Sequence, residues 1–399
     1  MKLTLKFLSF SIAFLVLSNS YAQSQDVRMF IFGHSLLVHE FTDNPPPSDE
    51  LTVPHWMYLL AEEAGQEFAV SGQYGFLPQH ANLPPFAQWG FDIVPPVWDS
   101  DVEAFSEANF SHAMITAGNF MQYQAPDEPY FGEDGVISPV LATVEIADWL
   151  VEQEEGMKVY IYENWPDMAG FIAGEGFPPS EGEFANYNGY TTGEFHDWWI
   201  DYQDALLELR PDYQTRMIPV GPIISGLLTE TALSGIPILS LYEDNAPHGR
   251  PTTYFLAALV TYMGVYGEMA PLGFDVPNLV HPLVKENYVT VVNYIWNELQ
   301  QFNDGEGNSR VFFEGMPTSI ENESPFEANI RIFPNPTQDL IRIEAMGAEA
   351  FEFQLLNGLG EALQSGRIEQ DFFQLDLGKL TQGLYLLKVG SRAYRIVKN

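Results

Sequence analysis

The chain has 399 residues, 46% hydrophobic and 14% aromatic, which is enough for one large core and one small one and excludes wholesale disorder. Its 17 Lys and Arg face 54 Asp and Glu, for a formal net charge of -37; with no basic stripe to release counterions, nucleic-acid binding is excluded as a function. There is no cysteine, which removes disulfides, thiolate nucleophiles and cysteine metal sites together.

Residues 1–22 read as a signal peptide. Lys2 and Lys6 supply the positive start, FLSFSIAFLVL the apolar stretch, and Ser20-Tyr21-Ala22 a small-residue cleavage site. No later apolar run approaches the roughly 20 residues that cross a bilayer, so no transmembrane segment is expected in the mature protein. Between 26 and 302, short apolar runs alternate with helical patterns. VRMFIFG (27–33) predicts a buried strand, and PHWMYLLAEEAG (54–65) a helix opened by Pro54 and stopped by Gly65. Strands are predicted over 67–72 and 111–118, then a Ser-capped helix over 138–156 and a strand over 157–165. Gly, Pro and aromatic residues over 163–190 predict a long loop. A helix over 193–211, a strand over 215–221, and helices over 251–267 and 283–302 complete the region. This alternation implies an α/β fold with a parallel sheet covered on both faces and a site beyond the carboxyl ends of its strands.

The composition changes at 303. Residues 303–327 are polar and broken by Gly and Pro, which predicts a linker. From 328 to 399, alternating apolar residues separated by Asn-Gly and Gln-Gly predict a small antiparallel β-sandwich.

Chemistry-bearing residues are few. A serine nucleophile needs a base, a carboxylate to orient the base, and donors for the oxyanion. Ser35 ends the first predicted strand, although a serine there also suits a helix cap. His248 lies in a Pro/Gly-broken loop ahead of a helix, with Asp244 four residues before it, which suits a base and its partner. His34 adjoins the serine and is a candidate pocket residue. The other six histidines, His39 among them, are expected at the surface or at element boundaries. No cofactor and no metal are expected.

The stretch FGHSLL, with ITAGNF, SGQYGF and the loop of Asp244 and His248, resembles the SGNH (GDSL-like) hydrolases, in the branch whose serine block reads Gly-His-Ser-Leu. The resemblance implies a three-layer α/β/α, flavodoxin-like domain over 26–302, built on a five-stranded parallel sheet. It implies Ser35 as the nucleophile, with its own amide as one oxyanion donor. Gly75 is the expected second donor, with Gly72 as its rival, and Asn119 the third. His248 would be the base and Asp244 its partner. The usual family spacing is Asp-x-x-His, however, and Asn245 stands three residues before His248, so either residue is left as the orienting group. His34 also departs from the commoner Asp before the serine.

The tail resembles the C-terminal sorting domain of type IX secretion cargo of Bacteroidetes, through Phe333-Pro334-Asn335-Pro336-Thr337, Asn357-Gly358, Gly383-Leu384-Tyr385 and the closing basic strand ending in Lys398. That likeness implies a partnership with the type IX machinery, passage through the periplasm, and a place outside the cell or on the outer-membrane surface. Together the two resemblances imply an exported serine esterase. Acylated carbohydrate is the expected substrate, because Trp165, Phe171, Tyr187 and Tyr190 are candidates to stack on sugar faces. The alternatives are a lipid or aryl ester, or a degenerate SGNH fold that binds glycan without catalysis.

Overall fold

The computed structural model describes residues 26–39, 49–118, 124–129, 137–173, 176–313, 329–333, 337–346, 351–357, 362–368, 372–389 and 392–398. The expected signal peptide and Asn119 lie outside them, as do Pro334 to Pro336 and Gly358 in the tail motifs. Two compact units divide near residue 318.

In chain order the first unit comprises β1 (Asp26–Gly33), α1 (Val53–Ala64), β2 (Glu67–Tyr74), α2 (Leu77–His80), β3 (His112–Ile115), α3 (Pro139–Gln153) and β4 (Lys158–Glu163). It continues with α4 (Glu181–Thr191), α5 (Glu194–Leu209), β5 (Arg216–Pro219), α6 (Val220–Glu230), α7 (Pro251–Tyr266), α8 (Pro282–Glu286) and α9 (Tyr288–Gln301). The five strands pair in parallel in the order β2-β1-β3-β4-β5. This is the flavodoxin-like order, with a switch point beside β1.

Side-chain alternation builds the three layers. Met29 and Ile31 of β1, Met114 of β3 and Tyr160 and Tyr162 of β4 join one core with helices α1, α6, α7 and α9. Phe30 and Phe32, Ala113 and Ile115, and Val159 and Ile161 face the opposite way into a second core with α3 and α5. Helix α7 is buried all round, in keeping with its uncharged and largely apolar sequence.

Both edges of the sheet are covered. Along β2, the Val70 amide donates to the Pro95 carbonyl, those of Gln88 and Trp89 to the Gly72 carbonyl, and those of Val97 and Trp98 to Ser71 Oγ. Along β5, the Met217 amide donates to the Arg310 carbonyl at 2.9 Å, and Arg310 pairs with Asp204 at 2.7 Å. Val311 and Phe312 are buried in the first core. Residues 303–313, expected as the start of a linker, are therefore part of the first unit.

The predicted loop over 163–190 also differs, because its second half is α4. Ser180 caps that helix in a reciprocal capping box with Glu183, a signal hidden in Gly- and Pro-rich sequence. Helix α6 was not anticipated either, since it follows β5 with no intervening turn residues. The long helix expected over 283–302 is broken at Asn287 into α8 and α9.

The second unit contains β6 (Asn329–Phe333), β7 (Leu340–Met346), β8 (Phe351–Leu356), β9 (Ala362–Ile368), β10 (Phe372–Asp376), β11 (Gly383–Val389) and β12 (Arg392–Lys398). They form two antiparallel sheets, β10-β7-β6 and β12-β11-β8-β9. Ile341, Ile343 and Leu375 from the first meet Phe353, Leu355, Leu387 and Ile396 from the second in a small sandwich core. Among the described residues no helix is long and apolar enough to cross a membrane.

Candidate active site

Strand β1 ends at Gly33, and residues 35–37 form a turn rather than the first turn of a helix, so Ser35 is not a helix cap. A Cβ on Gly33 would lie 2.9 Å from the side chains of both Leu37 and Trp89, so the glycine makes room for these two at the end of the strand. The Leu37 and Val38 amides donate to the His34 carbonyl, and the Leu36 amide donates to His34 Nδ1 at 3.2 Å. That bond requires an unprotonated Nδ1, which leaves the ring proton on Nε2, 3.1 Å from Thr116 Oγ1. Thr116 in turn donates to Asn164 Oδ1 at 3.1 Å, tying together the ends of β1, β3 and β4. Burial, then the neighbouring imidazoles of His80 and His248, lowers the His34 pKa to about 3. His34 is only 2% exposed, so it braces the serine turn from within and is not a pocket residue.

Above this turn, His248 Nε2 lies 2.9 Å from Ser35 Oγ. Its Nδ1 lies 2.7 Å from Asp244 Oδ2. Asp244 Oδ1 accepts from the backbone amides of Ala246 and His248 at 3.0 and 3.2 Å. Partial burial alone would raise the Asp244 pKa, but the hydrogen bonds from the His248 ring and from these amides hold it below the usual carboxylate value. Asp244, and not Asn245, is thus the residue that meets His248 Nδ1, while the Asn245 carbonyl accepts from the Met168 amide at 3.0 Å.

The loop of His248 and the serine turn are each held by a buried aromatic side chain. Trp165 Nε1 donates to the Pro247 carbonyl at 2.8 Å, and Tyr254 Oη on α7 donates to the Ser35 carbonyl at 2.6 Å. Trp165 is 1% exposed, so it supports the loop from below and cannot stack on a ligand. Tyr187 is likewise buried, with its hydroxyl on the Pro166 carbonyl, while Phe171 and Tyr190 are half-buried.

Of the two expected glycine donors, Gly75 has its amide engaged in this arrangement. The Gly75 N–H donates to the Gly33 carbonyl at 2.9 Å, which extends the β1–β2 pairing by one residue. Gly72 lies within β2 opposite Ile31, and a Cβ there would meet Trp89 at 2.3 Å, so packing accounts for that glycine. The Ser35 amide has no hydrogen-bond partner among the described residues.

Three more imidazoles prove to be interior and a fourth half-buried. His55, His80 and His112 are buried, and burial lowers the pKa of His80 to about 4 and that of His112 to about 3. The fourth, His39, lies flat on His248, a neighbour too distant in the chain for any local pattern to reveal. Among the described residues no cluster of three or more His, Asp or Glu is placed to hold a metal ion.

Comparison with known proteins separates the two units. Residues 331–399 match the family described as the secretion system C-terminal sorting domain. The tail is a sorting domain. The chain is therefore cargo for type IX export, destined for the outer-membrane surface or the medium. No curated protein sequence matches the chain. Among solved structures it is similar to an alpha/beta hydrolase from the metagenome of Lake Arreo, at 10% identity over 60% of this chain and 96% of that one, with a TM-score of 0.35. It is also similar to a mutant acetyl-xylooligosaccharide esterase from Geobacillus Stearmophilus, at 12% identity over 65% and 98% of the two chains, with a TM-score of 0.33. A structure of AaCel9A with cellobiose-like isofagomine matches at 22% identity over 18% of this chain, which spans only 14% of that one, with a TM-score of 0.16.

Proposed function

We propose that the first unit is an exported serine esterase of the SGNH type that deacylates carbohydrate, with residues 1–22 as its signal peptide. One observation carries the reading: a single imidazole bridges Ser35 Oγ at 2.9 Å and Asp244 Oδ2 at 2.7 Å. In this scheme His248 Nε2 takes the Ser35 proton as Oγ attacks the ester carbonyl. Asp244 stabilises the resulting imidazolium. Collapse of the tetrahedral intermediate breaks the bond to the alkoxy oxygen, which leaves with the proton held by His248. Water then repeats the sequence on the acyl-serine and regenerates Ser35. The Ser35 amide is one oxyanion donor, and Asn119 is the proposed second.

The side chains of His248 and Asp244 are 21% and 41% exposed, which supports a reaction at a rim open to a short acyl group on a large carrier. The strand register sets Tyr74, 44% exposed, beside Gly33, two residues from the nucleophile. An exposed aromatic ring at that level suits a sugar face, and it replaces Trp165 as the proposed stacking surface. The second reading, a glycan-binding protein without turnover, draws on the engaged amide of Gly75. Hydrolysis of nitrophenyl acetate and butyrate by the full chain separates the two, and acyl release from a panel of acetylated polysaccharides tests the substrate class. Absence of turnover on both would leave the binding reading.

A further inference from the structure

His39 and His248 are stacked, with ring centroids 4.0 Å apart and planes 5° from parallel. The contact joins two segments far apart in the chain. His39 follows the serine turn, and its backbone is fixed where its amide donates to the Leu51 carbonyl and where Val38 bridges Thr52. Its Nε2 lies 3.2 Å from Glu243 Oε2, the residue immediately before Asp244 and 204 positions away. Glu243 is held in turn, because its amide donates to the His248 carbonyl at 2.9 Å. The pair is largely sheltered, with 17% and 22% of the two side chains exposed.

A hydrogen bond to Asp244 at Nδ1 fixes one point on the His248 ring but leaves it free to rock about that bond. A flat surface in van der Waals contact with one face removes the rocking. Resting on the assignment of Ser35 and His248 above, we propose that His39 is a positioning residue for the reaction: its ring, anchored by Glu243, sets the plane of the His248 imidazole so that Nε2 stays on Ser35 Oγ. Burial, and then the neighbouring His248, lower the His39 pKa from the ordinary histidine value. A neutral ring face tolerates the cation that forms on His248 during the reaction, whereas a second cation at 4.0 Å would oppose it.

The test compares His39→Ala, His39→Phe and His39→Gln in the full chain by ester hydrolysis, with thermal melting to confirm folding. His39→Ala is expected to lower kcat about tenfold with KM within about twofold, because displacement of the base by a fraction of an ångström weakens proton transfer. His39→Phe restores a flat ring without a titratable proton and is expected to recover at least about half of kcat. His39→Gln can still bond Glu243 but offers no ring, and should behave like the alanine variant. Rescue by Gln and not by Phe would overturn the inference, because the effect would then run through Glu243. Equal kcat in all three variants and the parent chain would overturn it as well. Should His39→Ala fail to melt cooperatively, the contrast between Phe and Gln decides. An inactive parent chain whose Ser35 resists a fluorophosphonate label would instead bring down the esterase reading itself, and the inference with it.

Discussion

Two of the histidine–carboxylate pairs near the carboxyl ends of the sheet, Asp244–His248 and Glu163–His196, differ in what surrounds them. At the β1 end, Asp244 is 41% exposed, its carboxyl is held low, and the free nitrogen of His248 meets a serine hydroxyl. At the β4 end, the Glu163 side chain is fully buried and both its oxygens face His196 Nδ1, at 2.8 and 3.0 Å. Burial raises the Glu163 carboxyl more than His196 lowers it, and the carboxylate raises the His196 pKa against the effect of its own burial. The same two functional groups thus meet a serine hydroxyl, partly in water, in one place and form an interior tie between β4 and α5 in the other. The third partner and the degree of solvation decide the role, not the pair itself.

The contrast is open to four tests. The largest effect belongs to Ser35→Ala, which should lower ester hydrolysis at least a thousandfold, about 4 kcal/mol in the barrier, with the melting temperature unchanged. Activity surviving at a tenth of the parent rate would rule out the serine as nucleophile. His196→Ala should do the reverse: hydrolysis stays within about threefold, while stability drops by roughly 3 kcal/mol because the Glu163 carboxyl loses its partner in the interior. Denaturant melts and an ester assay on the same sample check both halves.

A third test uses His34, His80 and His112, whose burial lowers their pKa values to about 3, about 4 and about 3. Unfolded, each takes up a proton below about pH 6.5, which the folded chain resists, so stability should fall as the pH drops from about 6.5 towards 4. Each ring should cost the fold roughly 2 kcal/mol at pH 5. A denaturation midpoint flat between pH 7 and pH 5 would contradict the burial of these rings. Smallest is Asp244→Asn, expected to lower turnover at least about tenfold, or about 1.4 kcal/mol, with KM little changed. Asn245→Ala should leave turnover nearly intact. Equal losses in both variants would reopen the choice between them.

The sheet was readable from the sequence because its signals are local: VRMFIFG is a continuous apolar run, and Pro54, Gly65 and Ser138 punctuate helices within a few residues. Ser35, His248 and Asp244 were readable for the same reason, as each stands just outside such an element. What escaped depends on partners distant in the chain. His34 and Trp165 look like pocket residues in isolation, and only their bonds to Thr116 and to Pro247 show them facing inward. His39 adjoins Glu40 in the sequence, yet the carboxylate its ring meets is that of Glu243, 204 positions away and brought to it by the closing of the domain. Helix α4 was lost in composition, because two glycines and three aromatics in eleven residues obscure its capping box.

The covered edges of the sheet have a consequence for the behaviour of the chain in bulk. An open edge strand offers its amides and carbonyls to any other extended chain, and such pairing leads to aggregates. Here β2 is screened by residues 88–98, but β5 is screened by residues 309–312, which come after the last helix of the unit. The sheet therefore stays adhesive until its own final segment has folded back onto it. A chain that ended at Phe302, or was clipped there by a protease, would carry an intact Ser35, His248 and Asp244 beside an uncovered strand. Its failure would be measured by light scattering rather than by loss of any of these three side chains.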